Sequence, residues 1–190
     1  KRVKNKKNYT LSKNERKLYL ATPEVIKNIK FDQWVSQNQS KEKNIDSIFD
    51  LLRNYFDKEK FSYSLHPGLM DKKSPLDDFF FNKKQGLCEH YASAVAIALR
   101  KFQVPARIVV GFQGGQYNPY GNYFYIEAKN AHSWVEYWSS KKGWQRIDPT
   151  SWIHPERIRL GPEVYFLSQE NLESLSLDNG MSLNQGRIFQ

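Results

Sequence analysis

Gln85-Gly86-Leu87-Cys88-Glu89-His90-Tyr91-Ala92 places the only cysteine of the chain at the first turn of a predicted helix. From Tyr91 onward the apolar residues are Tyr91, Ala94, Val95, Ala98, Leu99 and Phe102. This three-then-four spacing puts one stripe on one helical face. Cys88 precedes Tyr91 by three positions and Val95 by seven, so it lies on the same stripe and faces the rest of the protein. Gly86 permits close backbone approach just before it. A thiol at this place meets unpaired N–H groups and the positive end of the helix dipole, which favour thiolate. That prepares a nucleophile. The competing reading is a small buried hydrophobe, because free cysteine is among the most buried residue types.

Outward from this helix, the order of elements predicts an α+β fold with helices packed on an antiparallel β-sheet. Thr22-Pro23-Glu24 is a helix start, followed by a helix through Val25, Ile26, Ile29 and Trp34. Ile45, Ile48, Phe49, Leu52, Tyr55 and Phe56 keep helical spacing, residues 61–65 alternate as a short strand, and Ser74-Pro75-Leu76-Asp77 opens a short helix. After Pro105, strands are expected at 107–112, 123–127, 132–138 and 144–148. The glycine- and asparagine-rich segment 113–122 reads as irregular, as does the chain after Pro149.

The formal charge of +9 is concentrated at one end: residues 1–17 hold eight basic side chains against Glu15. This reads as a basic, flexible tail over 1–20, before a domain over 21–167 and a polar tail over 168–190. Such a tail suits an anionic membrane surface as well as nucleic acid, and no zinc-finger or RNA-recognition motif supports nucleic acid. The longest apolar run, residues 94–99, is far too short to span a bilayer, and no signal-peptide pattern opens the chain. A start at Lys1 without methionine fits a piece of a longer protein.

A cysteine nucleophile needs a base, and the base needs an orienting group. Of the four histidines, His66 and His154 adjoin prolines and read as surface residues, and His90 points about 200° away from Cys88 around the helix. His132 begins a strand. If Trp138 faces Trp144 across a hairpin, Glu136 faces Arg146 and Trp134 faces Asp148, so an ion pair and an aromatic pair fall into register. His132 then shares a face with Asp148, diagonal to it at roughly 7–8 Å, within side-chain reach. A slip of one residue would separate them. The other reading of Asp148-Pro149 is a simple turn start.

These residues also carry a resemblance. Gly86-Leu87-Cys88-Glu89-His90-Tyr91-Ala92-Ser93-Ala94, Val104-Pro105-Ala106-Arg107, Gly111-Phe112-Gln113-Gly114-Gly115, Asn118-Pro119, Ala131-His132-Ser133-Trp134-Val135-Glu136 and Asp148-Pro149-Thr150 occur in order. Together they resemble the bacterial transglutaminase-like proteins of the TgpA type. The resemblance covers about residues 76–159 and implies a papain-like α+β core with Cys88 as nucleophile, His132 as base and Asp148 as orienting acid. It also implies an extracytoplasmic domain of an inner-membrane protein, facing the periplasm or cell exterior. The family usually carries glycine just after the cysteine helix, where this chain has Gln103.

The activity so implied is acyl transfer from glutamine carboxamides of protein or peptide substrates, with no cofactor and no metal. Cys88, His90, His132 and His154 lack the close paired spacings of a zinc site. Transfer to an amine, deamidation and proteolysis stay open as outcomes, and a non-catalytic peptide- or cell-wall-binding module is the reading of a different class. Trp134, Tyr117, Tyr120 and Tyr123 are candidates for a cleft wall or for core filling.

Overall fold

The computed structural model describes residues 9–23, 27–39 and 44–161. Within them, a helical layer packs against a three-stranded antiparallel sheet, as expected for the α+β class. The helices are α1 (Lys13–Leu20), α2 (Ile29–Gln39) and α3 (Ile45–Lys58). Strand β1 (Ser62–Tyr63) follows, then the short α4 (Pro75–Asp77), which continues as a π-helical turn Asp78–Lys83. Next come β2 (Gln85–Gly86), α5 (Cys88–Lys101) and β3 (Ala106–Phe112). Strands β4 (Gln116–Asn118), β5 (Tyr123–Tyr125), β6 (Ala131–Ser139) and β7 (Gly143–Ile147) precede α6 (Thr150–Ile153) and α7 (Pro155–Leu160).

The core lies where α3 and α5 meet the sheet. Helix α5 buries Tyr91, Ala94, Val95, Ala98 and Leu99, the stripe read from its spacing. Its alanines keep the helix close to the sheet, where Ala106 and Val135 are fully buried. Beneath it an aromatic cluster centres on Phe80, whose ring stacks on Tyr55 at 4.5 Å and meets Phe31 edge-on at 4.9 Å. Complete burial of such rings is the main favourable term here, at about 25 cal/mol per Å².

Several features hold the start of α5 in place. Strands β1 and β2 pair in parallel, Tyr63 opposite Gly86, so β1 runs beside the segment that leads into the helix. The buried Tyr91 hydroxyl donates to the Ser62 carbonyl at 2.6 Å and ties α5 to β1. A Cβ on Gly86 would come within 2.9 Å of the Phe79 ring and 2.8 Å of His90 Cβ, so only glycine fits this approach. At the other end, Gln103 has φ of 65°, the left-handed position after a helix that glycine usually fills. This accounts for the glycine of the family pattern and makes Gln103 a locally strained substitute.

The sheet order is β3-β6-β7, with β6 central. Trp138 pairs with Trp144 and Glu136 with Arg146, the register expected from the cross-strand pairs. Glu136 accepts from Arg107 on β3 at 2.6 Å, whereas Arg146 donates to Asp148, so the register holds but the expected Glu136–Arg146 ion pair is replaced among the described residues by these two contacts.

Four expectations need correction. Residues 13–20 are not a flexible tail: Ser12 and Glu15 cap each other's backbone at the start of α1. The helix is held to the domain by Tyr19 edge-on to Trp144 at 4.7 Å and by Arg16 on the Gln103 carbonyl at 3.4 Å. The second helix begins at Ile29, because Asp77 accepts from Phe31 N at 2.8 Å and Asn28 accepts from Leu76 N at 2.8 Å, capping two helix starts reciprocally. Residues 24–26, part of the expected helix start, lie outside the described residues, as do 1–8 and the tail at 168–190. Segment 113–122 contains β4, and Tyr123–Tyr125 pairs only with that strand among the described residues, in a separate hairpin. After Pro149 the described chain is helical over 150–153 and 155–160; His154 Nδ1 accepts from Arg157 N at 3.2 Å and caps α7 ahead of Pro155.

Candidate active site

Cys88 opens α5 as its first residue and is 7% exposed. The residue before it, Leu87, is extended, and its N–H donates to His90 Nδ1 at 3.0 Å. His90 therefore serves the helix start, as a side chain pointing away from the sulfur can. Burial favours its neutral form, as this acceptor role requires.

His132 and Asp148 meet as the register requires. Nε2 of His132 lies 2.7 Å from Asp148 Oδ2, with the imidazole fully enclosed and the carboxylate 9% exposed. Asp148 lies just past the end of β7 and is fixed on its own account. Arg146 donates to Oδ2 at 3.3 Å and Thr150 N to Oδ1 at 3.2 Å. Burial pushes this carboxyl up, but the hydrogen bond and charge of His132, then those of Arg146, outweigh it and hold it below the ordinary range. Trp134 lies tilted beside the His132 ring at 6.3 Å, with the Arg146 guanidinium over its face at 4.2 Å. Any side chain on Gly111 would press on that indole, at 3.0 Å.

The other edge of His132 faces the sulfur. Burial opposes the Cys88 thiolate, yet the influence of His132 and then of the adjacent Ser133 outweighs it, so the thiol lies below its ordinary value. His132 shifts the opposite way: burial opposes imidazolium, but hydrogen bonds to Asp148 and Cys88 raise it. The two shifts are opposite in sign, as expected of a thiol and an imidazole between which a proton can pass. The Ser133 hydroxyl is buried and lacks a hydrogen-bond partner by geometry. The sulfur is the acceptor that would use it once charged.

Arg157 completes this edge and was not anticipated. It is 2% exposed, and its Nη1 lies 3.3 Å from His132 Nδ1 and 3.2 Å from Gln113 Oε1, with the guanidinium 5.0 Å from the Tyr63 ring centre. Gln113 in turn donates to the Ile158 carbonyl at 2.7 Å, which docks α7 on the end of β3. A guanidinium can only donate, so it supports neutral imidazole at Nδ1 and must yield that lone pair when the thiol gives up its proton. The Pro155 start of α7, with His154 as its cap, was the signal that could have placed Arg157 on an ordered helix.

A cavity of about 400 Å³ opens over these groups, lined by Cys88, His132, Ser133, Arg157, Tyr63 and Val110 among others. None of the four proposed cleft aromatics lines this cavity, and Trp134 stands behind it, beside the His132 ring. Tyr117 is 51% exposed, Tyr120 100% and Tyr123 52%, all outside the cavity lining.

The family model described as the transglutaminase-like superfamily matches residues 13–149. A protein-glutamine gamma-glutamyltransferase of Pseudomonas aeruginosa is 46% identical over 108 residues, which are 57% of this chain and 16% of that protein. An uncharacterized protein, YebA of Bacillus subtilis, is 30% identical over 156 residues, or 77% of this chain and 20% of its own. The chain thus spans a fifth or less of the length of these relatives. Among solved structures, the periplasmic domain of TgpA from Pseudomonas aeruginosa is 36% identical with a TM-score of 0.74, covering 81% of this chain and 53% of that one. A putative cysteine protease from Cytophaga hutchinsonii, 17% identical with a TM-score of 0.53 over 75% of this chain and 44% of its own, shares the fold.

Proposed function

Because the chain belongs to the transglutaminase-like superfamily, we propose that it catalyses acyl transfer from the carboxamide of a protein or peptide glutamine, using Cys88, His132 and Asp148. The observation that carries this reading is the enclosed His132–Asp148 contact of 2.7 Å beside a thiol held below its ordinary value. In the reaction, the Cys88 thiolate attacks the carboxamide carbon. The developing oxyanion is met by the Cys88 backbone N–H, one of the first-turn donors that α5 leaves without an intrahelical partner. His132 passes its Nδ1 proton to the departing nitrogen, ammonia leaves, and a thioester remains on Cys88. Asp148 keeps the Nε2 proton in place and stabilises the imidazolium without accepting its proton. An amine or water then attacks the thioester, His132 takes a proton from it, and the thiolate returns.

The domain reads as an extracytoplasmic part of a bacterial inner-membrane protein, on the strength of the periplasmic relatives. No helix among the described residues is long and apolar enough to cross a membrane. The test is ammonia release from a blocked glutaminyl peptide, with intact mass of the protein followed in parallel. The wild type should release ammonia and gain the mass of the peptide less ammonia, and Cys88→Ala should do neither. A peptide cleaved at its backbone instead would make the protein a protease on the same residues. An inert wild-type thiol would leave only a binding module.

A further inference from the structure

Glu89 takes no part in the chemistry above, and it stands where a carboxylate is costly. Its Oε2 accepts from the Cys88 thiol at 3.6 Å, and once that thiol is ionised the two negative charges oppose each other. The side chain is exposed, and among the described residues no lysine or arginine pairs with it, in a chain whose formal charge is +9. A first-turn acid does favour the helix dipole, but a first-turn position farther from the sulfur would give the same benefit.

Glu89 also stands where two cavities meet. On one side is the cavity over Cys88 and His132. On the other, Glu89 lines a second cavity of about 410 Å³ whose walls are mainly apolar, with Leu76, Phe79, Ile97 and Ile108 among them. Ile97 follows Glu89 by two four-residue steps, so this cavity runs along one face of α5. Ile108 lines the second cavity and Val110 the first, two residues apart on one face of β3, which gives the two spaces a common wall.

An apolar passage that ends in a carboxylate with no basic partner among the described residues, beside a nucleophile, matches a long methylene stem with a cationic tip. We propose that the second cavity is the site of the acyl acceptor, a primary alkylammonium such as a lysine side chain, with its methylenes along Ile97 and Ile108 and its ammonium on Glu89. This rests on the acyl-transfer reading and adds the acceptor to it. The ammonium sheds one proton to water by way of the Glu89 carboxylate. The free amine attacks the thioester carbon, its second proton goes to His132, the carbon–sulfur bond breaks, and the Cys88 thiolate leaves. One amide bond replaces one thioester bond.

The experiment partitions the acyl-enzyme, formed from a blocked glutaminyl peptide, between n-butylamine and hydroxylamine at neutral pH. The first is a cation with an apolar stem, and the second is uncharged and has none. The wild type should use butylamine at least tenfold better than methylamine, since each buried methylene is worth about 0.8 kcal/mol. Glu89→Gln should lower the preference for butylamine over hydroxylamine tenfold or more, and Ile97→Asn should abolish the preference for butylamine over methylamine. Equal use of the two amines by the wild type, or a Glu89→Gln ratio within twofold of it, overturns the inference. A wild type that makes hydroxamate but no butylamide overturns it too and leaves the acyl-enzyme standing. A wild type that makes neither product and releases no ammonia overturns both.

Discussion

The β6–β7 hairpin and the β4–β5 hairpin are both antiparallel and rich in aromatic residues, but they differ in what lies behind them. Strand β6 is flanked by β3 and β7 and covered by α5, so Val135 is fully buried and His132 nearly so. The β4–β5 pair is joined to no other strand among the described residues, and its Phe124 is 71% exposed. Aromatic content therefore says little about which strands build a site. A strand positions a catalytic group when its neighbours fix its register on both sides, as Arg107, Glu136 and Arg146 do across this sheet.

The sharpest way to break the comparison is to substitute groups that the rigid hairpin holds. His132→Ala should cost about 10³-fold or more in turnover, and Asp148→Asn about 10²–10⁴-fold, with the fold retained in both. Glutaminyl ammonia release and circular dichroism check this pair. Asp148 has a pH signature as well. Its carboxyl is lowered on folding, so its contribution to stability is complete above the ordinary carboxylate range and is lost as pH falls through the lowered value. Thermal melts of Asp148→Asn between neutral and acid pH should show a shallower acid-side fall than the wild type.

A core substitution should act on stability. Phe80→Ala removes the ring at the centre of the aromatic cluster and should cost about 3–5 kcal/mol in urea unfolding. Gln103→Gly relieves the left-handed residue after α5 and should add about 1 kcal/mol. The smallest effect belongs to the exposed hairpin. Tyr120→Ser at the fully exposed tip should change stability by less than about 0.5 kcal/mol and leave ammonia release unaltered. A large loss of either would mean that the hairpin helps to form the site.

Elements that bury an apolar stripe were legible before the structure: α3, α5 and the β6–β7 register follow from residues that repeat at 3.6 or at 2. What escaped was built from polar groups. Helix α1 buries no residue, and its net positive charge masked the Ser12-Lys13-Asn14-Glu15 capping box that starts it. The reciprocal caps of Asn28 and Asp77 join residues 49 apart in sequence, which no local pattern reveals. Arg157 reaches His132 across 25 positions, from a helix only six residues long, and its charge read as that of any surface arginine. At the candidate site, helix position and strand parity singled out Cys88, His132 and Asp148 and the family resemblance implied their roles, whereas Ser133, Gln113 and Glu89 acquire their meaning only once the sulfur's neighbours are known.

The central claim is that Cys88 is a nucleophile prepared by His132 and the start of α5. Its most direct test is the rate of iodoacetamide alkylation against pH for the wild type and His132→Ala. The wild-type midpoint should fall well below the free thiol value of about 8.5, and His132→Ala should move it part of the way back, because the helix start remains. A wild-type midpoint at or above the free value, unmoved by the substitution, would make Cys88 a buried hydrophobe and contradict the account.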